Sequence, residues 1–341
     1  MSVKGKLTYI GSFPPPYGGV TVKNALLYKQ LSSRLIIDQI DLSRVKKLEL
    51  KSLCCLARAL ISRKGLIVLG VSADWRYRLT NFLYRFNRKK MNRSFLVVMG
   101  GKVPGNKSYI EKMNGFKQVY VETESMRIAF EEMGAWNVSV YPNCRERPAV
   151  PVKIKPSVGR LSSVFFSLIS PDKGVELILN ASDMVPDVDF HLYGRIEGGY
   201  EARFTDELAK RKNVWYHGVF DSVEGAVVTE LNKYDIHLFP TRWANEGVPG
   251  VLVETKMAAV PSIVSDICYN AELVRDGIEG IVLRENTAEN LVEAISLLDG
   301  DRKRLNAMKV SALESAERFY LDKYIDCLVS DLTEEPGKET V

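Results

Sequence analysis

The chain has 341 residues, 46% of them apolar, enough for two cores of about 100–200 residues each and with no low-complexity stretch. No run reaches the roughly 18 apolar residues of a membrane-spanning helix, and the N-terminus lacks the apolar stretch of a signal peptide, so a cytoplasmic chain is expected. The net charge of +5 conceals a split: residues 1–150 hold 26 Lys+Arg against 10 Asp+Glu, the remainder 21 against 32, which suggests two domains with different partners.

In chain order, residues 7–11 read as a strand and 20–31 as a helix with Val20, Val22, Leu26 and Leu27 near one face. Strand 34–40, helix 47–62 and strands at 66–70, 95–99, 118–121 and 138–141 follow. Pro142, Pro148, Pro151 and Pro156 then block regular structure and mark a linker. The alternation resumes with strands at 164–169, 189–193, 214–217, 236–239, 262–265 and 280–283 and helices at 174–181 and 223–233. Strands alternating with helices predict parallel sheets covered on both faces, α/β in class. Two such domains, 1–150 and 151–316, suggest Rossmann-like halves facing a ligand cleft. The five cysteines form no CxxC pair or Cys/His cluster, so reduced, mostly buried thiols and no metal site are expected.

Three segments carry candidate chemistry. Gly11-Ser-Phe-Pro-Pro-Pro-Tyr-Gly-Gly19 joins a strand to a helix, where glycines let amides approach an anion. It matches neither GxGxxG nor the P-loop, and taken alone is equally a tight Pro/Gly turn. Glu246-Gly-Val-Pro-Gly-Val-Leu-Val-Glu254 follows the strand at 236–239. Gly247 and Gly250 leave backbone accessible, and a helix starting near Pro249 would offer the amides of Gly250, Val251 and Leu252 to a diphosphate. Glu246 could accept sugar hydroxyls and Glu254 a ribose diol; read alone, they are more readily a capping acid and a solvated helical glutamate. In Ser170-Pro-Asp-Lys-Gly174, Lys173 stands at a helix start, able to offset leaving-group phosphate charge or to be an ordinary surface lysine.

Together these segments resemble glycosyltransferase family 4, retaining enzymes of the GT-B fold, over residues 7–332. The order of Ser170-Pro-Asp-Lys-Gly174, Phe190-His-Leu-Tyr-Gly194, Trp215-Tyr-His-Gly-Val219, Asp235-Ile-His-Leu-Phe-Pro-Thr241, the Glu–seven residues–Glu motif, Pro261-Ser-Ile-Val-Ser-Asp266 and Ala271-Glu-Leu-Val-Arg-Asp-Gly277 carries the likeness. Pro15-Pro-Tyr-Gly-Gly19 and Tyr141-Pro-Asn143 add to it. The wording around Glu246 is most similar to bacterial enzymes that build capsular polysaccharide or exopolysaccharide.

The resemblance implies transfer from a UDP- or GDP-sugar to a saccharide acceptor, often lipid-diphosphate-linked, with no resident cofactor and no metal. Glu246 and Lys173 would be catalytic. Gly18, Gly19, Gly247, Gly250, Val251 and Leu252 would hold the diphosphate, Glu254 the ribose, and Val219 the base. The leaving phosphate would take the acceptor proton, leaving the protein a positional and electrostatic role. Two departures matter. Leu168 stands where many relatives carry an Arg, and Val98-Met-Gly-Gly101 where many carry a His, so Arg195 or Arg242 would help Lys173. His191, His217 and His237 fall in or beside predicted strands and read as core. Residues 317–332 resemble the closing helix that packs on the N-terminal domain, and 333–341 read as a disordered tail.

The segment 76–93 interleaves Arg76, Arg78, Arg85, Arg88, Lys89, Lys90 and Arg93 with aromatic and apolar residues. It suits a basic amphipathic helix on an anionic membrane, peripheral on the inner face of the plasma membrane, or a solvated helix with its aromatics in the core. No nucleic-acid motif is present. A sugar-nucleotide 2-epimerase and a non-catalytic binding subunit are the competing readings; few histidines weigh against the first, and Leu168 motivates the second.

Overall fold

The computed structural model describes residues 7–15, 18–100, 105–220 and 226–333. The chain divides into two compact units, Met1–Arg145 with Leu321–Val341, and Glu146–Tyr320.

Unit 1 contains a six-stranded sheet of β1 (Leu7–Gly11), β2 (Ile37–Asp41), β3 (Leu66–Val71), β4 (Phe95–Val98), β5 (Gln118–Val121) and β6 (Val138–Val140). All pairings are parallel and the order is β2-β1-β3-β4-β5-β6. The central strands are near-continuous apolar runs because helices cover both faces. β2, at the edge, shows its Asp38 and Gln39 to solvent. The connection between β1 and β2 and that between β2 and β3 run in opposite directions, so β1 and β3 flank the point where the winding reverses. There Asn24, fully buried, donates from Nδ2 to the carbonyls of Ser12 and Gly70 and accepts from the Tyr9 hydroxyl. A Cβ on Gly70 would stand 2.1 Å from Asn24 Oδ1, which is why that strand carries a glycine.

Residues 316–332 form no single helix. Two 3-10 turns, Ala316–Phe319 and Leu321–Lys323, precede the α-helix Ile325–Thr333. Tyr320 between them is extended and interrupts the helical ladder, and the Leu321 amide donates instead to the Arg145 carbonyl at 3.0 Å. Leu321, Ile325, Leu328 and Leu332 then complete the unit 1 core against Leu7, Tyr9, Leu27 and Tyr120. Residues 334–341, read from sequence as a tail, lie outside the described residues.

The basic segment 76–93 also differs from its expected form. It is a helix, Ala73–Phe86, then a break at Asn87 and one turn, Arg88–Met91. Asn87 turns its side chain onto the carbonyls of Leu60 and Ile61, closing the end of helix Leu50–Ile61. Arg76 and Lys90 are buried, the latter donating to the Lys64 carbonyl, whereas Arg78, Arg85, Arg88 and Lys89 face solvent. The thiols are a correction as well: Cys144 is buried, but Cys54, Cys55, Cys268 and Cys327 are exposed. Cys54 and Cys55 lie on helix Leu50–Ile61, which turns only Leu56 and Leu60 fully inward. Among the described residues, no helix is long and apolar enough to cross a membrane.

Unit 2 repeats the architecture with β7 (Ser162–Phe166), β8 (Asp189–Tyr193), β9 (Val214–Tyr216), β10 (Ile236–Phe239), β11 (Ser262–Ser265) and β12 (Gly280–Leu283). Its sheet is all parallel in the order β9-β8-β7-β10-β11-β12, the doubly wound dinucleotide-fold order. Phe165, Phe190, Leu192 and Leu238 pack on one face, Val164, Phe239 and Val264 on the other. The winding reverses between β7 and β10, so the loops leaving these two strands diverge around a crevice at their carboxyl ends.

Candidate functional site

Both loops carry the residues singled out from sequence. After β7, residues 167–174 lead into helix Val175–Met184; after β10, residues 240–249 lead into helix Gly250–Met257. They are locked together by backbone. The Arg242 amide donates to the Asp172 carbonyl at 2.7 Å. Gly174 has φ +80°, and a Cβ there would stand 2.0 Å from the Pro240 carbonyl oxygen, so only glycine permits this approach. Gly194, at φ +141°, likewise lets the loop after β8 press on the Ser167 carbonyl, which a Cβ would meet at 1.7 Å.

At this junction the Lys173 ammonium and the Glu246 carboxylate form an ion pair, their side chains only 17% and 13% exposed. The Thr241 hydroxyl, fully buried, also donates to Glu246 Oε2 at 3.2 Å. Thr241 is itself fixed from the next two strands of the sheet: Ser265 Oγ, at the end of β11, donates to its carbonyl at 2.7 Å, and Asn286 Nδ2, just after β12, at 3.0 Å. Glu246 is therefore held by a polar frame rather than left as a solvated capping acid.

Gly247 leads from Glu246 to the helix start, where Pro249 is the cap and Gly250 and Val251 are the first residues, with amides that have no acceptor within the helix. The Leu252 amide is committed to the Pro249 carbonyl at 3.2 Å, which narrows the anion-facing amides to the first two. Glu254, half-buried, lies one turn further on. Arg195 and Val219 join the same edge of the sheet through backbone: the Ile169 amide donates to the Arg195 carbonyl, and the Gly194 amide to the Gly218 carbonyl. The side chains of Arg195 and Arg242 are exposed, and Val219 is 65% exposed, apolar surface next to the site. Leu168, where a second cation was sought, is a half-buried part of the β7 loop.

Gly18 and Gly19 belong to unit 1. They open helix Gly19–Ser32, with Gly18 extended as its cap and the Thr21 hydroxyl bonded to both backbone groups of Gly18. Both glycines are exposed at the carboxyl end of β1. Pro16, Tyr17 and Gly101, within motifs noted above, lie outside the described residues. The histidines divide: His237 is fully buried, whereas His191 is half-buried and His217 exposed.

Sequence reasoning missed Thr241, Ser265 and Asn286 as parts of this site. Thr241 follows a strand and a proline, a detectable position; Asn286 is 45 residues further along and no local pattern announces it.

Residues 151–314 match the family model described as glycosyl transferases group 1. An exopolysaccharide phosphotransferase of Streptomyces coelicolor is 34% identical over 111 residues, which is 31% of this chain and 12% of that protein. A 41.2 kDa protein in the cps region of Klebsiella pneumoniae is 27% identical over 134 residues, 39% of this chain and 36% of that protein. The chain thus aligns with only a minor part of each of these relatives. Among solved structures, Anabaena HepE in complex with UDP and glucose matches with TM-score 0.72 at 16% identity, covering 96% of this chain and 99% of that one. The pneumococcal O-GlcNAc transferase GtfA, in complex with UDP and GlcNAc, matches with TM-score 0.64 at 14% identity, covering 83% and 60%. Residues 151–314 are therefore similar to the glycosyl transferases group 1 family, in a chain with the two-sheet GT-B fold.

Proposed function

We propose that the chain is a retaining glycosyltransferase that moves a sugar from a UDP- or GDP-sugar to a saccharide acceptor, lipid-linked, in bacterial surface polysaccharide synthesis. The observation that carries this reading is the Lys173–Glu246 pair beside the N-terminus of helix Gly250–Met257, at the reversal point of the unit 2 sheet. A diphosphate placed on the Gly250 and Val251 amides draws Lys173 to its oxygens and frees Glu246 to accept hydroxyls of the donor sugar. Glu254 serves the ribose, and the apolar surface at Val219 the base. The bond from the sugar C1 to the phosphate oxygen breaks, and its electron pair stays on that phosphate. The acceptor hydroxyl oxygen bonds C1 on the same face, and its proton passes to the departing phosphate oxygen. Lys173 and the helix amides stabilise the charge developing there, and Glu246 holds the ring in line. Glu246→Ala is expected to abolish transfer in a chain that still folds and unfolds cooperatively, with its melting temperature lowered by the loss of the Lys173 partner, the donor being found first by a thermal-shift screen of sugar nucleotides. Near-normal turnover in that variant sinks the assignment. Epimer formation from UDP-GlcNAc alone transfers the choice to an epimerase.

The same reading puts unit 1 on an anionic membrane at the cytoplasmic face. Ile61 and Phe86 are exposed where two helices end together, and the exposed Arg85, Arg88 and Lys89 lie within three residues of Phe86 in the chain. Apolar insertion flanked by cations suits an acidic lipid surface. Joint reversal by Arg85→Glu, Arg88→Glu and Lys89→Glu is expected to release the chain from phosphatidylglycerol vesicles; sedimentation equal to wild type refutes it.

A further inference from the structure

The end of the unit 2 sheet opposite the Lys173 loop carries a concavity of about 640 Å3. Arg160 precedes β7, Asp189 opens β8, and Lys212 and Trp215 flank the start of β9, so it lies at the amino ends of these strands. The five residues of β7 separate it by roughly 17 Å from the loop that holds Lys173, at about 3.3 Å per residue. It therefore forms no part of the donor site.

One residue lining the concavity, Trp215, is aromatic, and its ring is held from behind. Trp215 is 40% exposed and stacks on His191 with ring centroids 5.1 Å apart. His191 Nδ1 and His217 Nε2 share a hydrogen bond at 2.9 Å, and the His217 ring stacks on Tyr193 at 4.6 Å. The arrangement follows from alternation: Phe190 and Leu192 of β8 face the core, which turns His191 and Tyr193 to the other face beside Trp215 and His217. Burial lowers the pKa of both histidines, and their mutual contact adds to this for His191.

The charges around it are mostly matched. Arg160 bonds Asp189, Arg211 bonds Asp183 and Glu207, and Lys210 bonds Glu207. Lys212 is exposed and, among the described residues, has no ion-pair partner. Paired carboxylates keep lone pairs for hydroxyl donors. An apolar ring face, several acceptors and donors, and one spare ammonium fit a hydroxyl-rich ligand bearing a carboxylate. A polyphosphate or nucleic acid would need several unmatched cations, and the aspartates here oppose it.

We propose that this concavity is a second saccharide site, which binds an acidic, uronate-containing glycan chain with a sugar face on Trp215 and its carboxylate on Lys212. Titration calorimetry of the full chain with trigalacturonate, maltotriose and inorganic phosphate tests it. Trigalacturonate is expected to bind at least tenfold more tightly than maltotriose. Trp215→Ala and Lys212→Glu are each expected to weaken it at least tenfold, with melting temperature and UDP affinity unchanged. Equal affinity in wild type and both variants overturns the proposal, as does displacement by an equal concentration of phosphate. Loss of UDP binding in wild type alone would strike the donor-site reading and leave this one standing.

Discussion

Glu279→Gln tests whether the donor helix is anchored by charge. Glu279 is fully buried and accepts from Lys256, Arg275 and Arg318. Lys256, also buried, lies on helix Gly250–Met257, the element that presents the Gly250 and Val251 amides. Burial lowers the Lys256 pKa to about 8, with Glu279 opposing the shift. Burial raises the Glu279 pKa, but Lys256 and the two arginines outweigh this and hold it below the usual carboxylate value. Removing the carboxylate leaves a buried ammonium without its counter-ion, which costs about 3–5 kcal/mol. For a unit of this size that is about 10 °C in melting temperature. Arg275 and Arg318 are half exposed and retain solvation, so the loss falls mainly on Lys256.

The dependence on pH follows from the lowered lysine. Between pH 8 and 10.5 the unfolded chain keeps a proton that the folded chain has released, so this group's contribution to stability rises with pH across that window. A neutral Lys256 needs no counter-ion. Urea unfolding at about pH 6 should therefore show the full deficit in Glu279→Gln, and at about pH 9 less than half of it. An equal deficit at both pH values, or one below ~1 kcal/mol at the lower, refutes the reasoning.

Two further substitutions probe the site itself. Thr241→Val removes the hydroxyl that donates to Glu246 and keeps the shape; since a hydrogen bond to a charged group is worth about 1.5–3 kcal/mol, kcat should fall by about tenfold or more, with Thr241→Ser restoring most of it. Unchanged kcat in the valine variant would remove Thr241 from the frame. Gly174→Ala combines a left-handed backbone with a contact 2.0 Å from the Pro240 carbonyl, and should destabilise unit 2 by at least ~2 kcal/mol in urea unfolding. A loss below ~0.5 kcal/mol would mean that the two loops separate without cost.

Much of the fold was legible because parallel strands must be apolar throughout: the runs at 66–71, 95–98 and 236–239 announce themselves. The boundaries that failed did so where tertiary contacts override local pattern. Residues 316–332 have helical composition, but the passage from one unit to the other demands an extended Tyr320. The basic segment 76–93 reads as one amphipathic helix, yet Asn87 serves a neighbouring helix end and breaks it. The cysteines were misplaced because sequence does not say which face of helix Leu50–Ile61 meets the sheet. In the site, Lys173 and Glu246 lie 73 residues apart in the chain, and only the strand order unites them. The supporting Ser265 and Asn286 come from still later strands and leave no trace in the motif they serve.

The docking of residues 321–333 into unit 1 sets an order on assembly. Leu7, Tyr9 and Tyr120 leave the ribosome before unit 2 does, yet they are covered by Leu321, Ile325, Leu328 and Leu332. Asp331 then accepts from the Tyr120 hydroxyl, and its carbonyl from the Lys117 ammonium at 2.7 Å. All of unit 2 must be synthesised before that aromatic face is closed, so the unit whose translation starts first is finished last. A nascent chain stalled anywhere within unit 2 presents an incomplete first core to the cell, and chaperones that bind exposed apolar surface have their longest opportunity there.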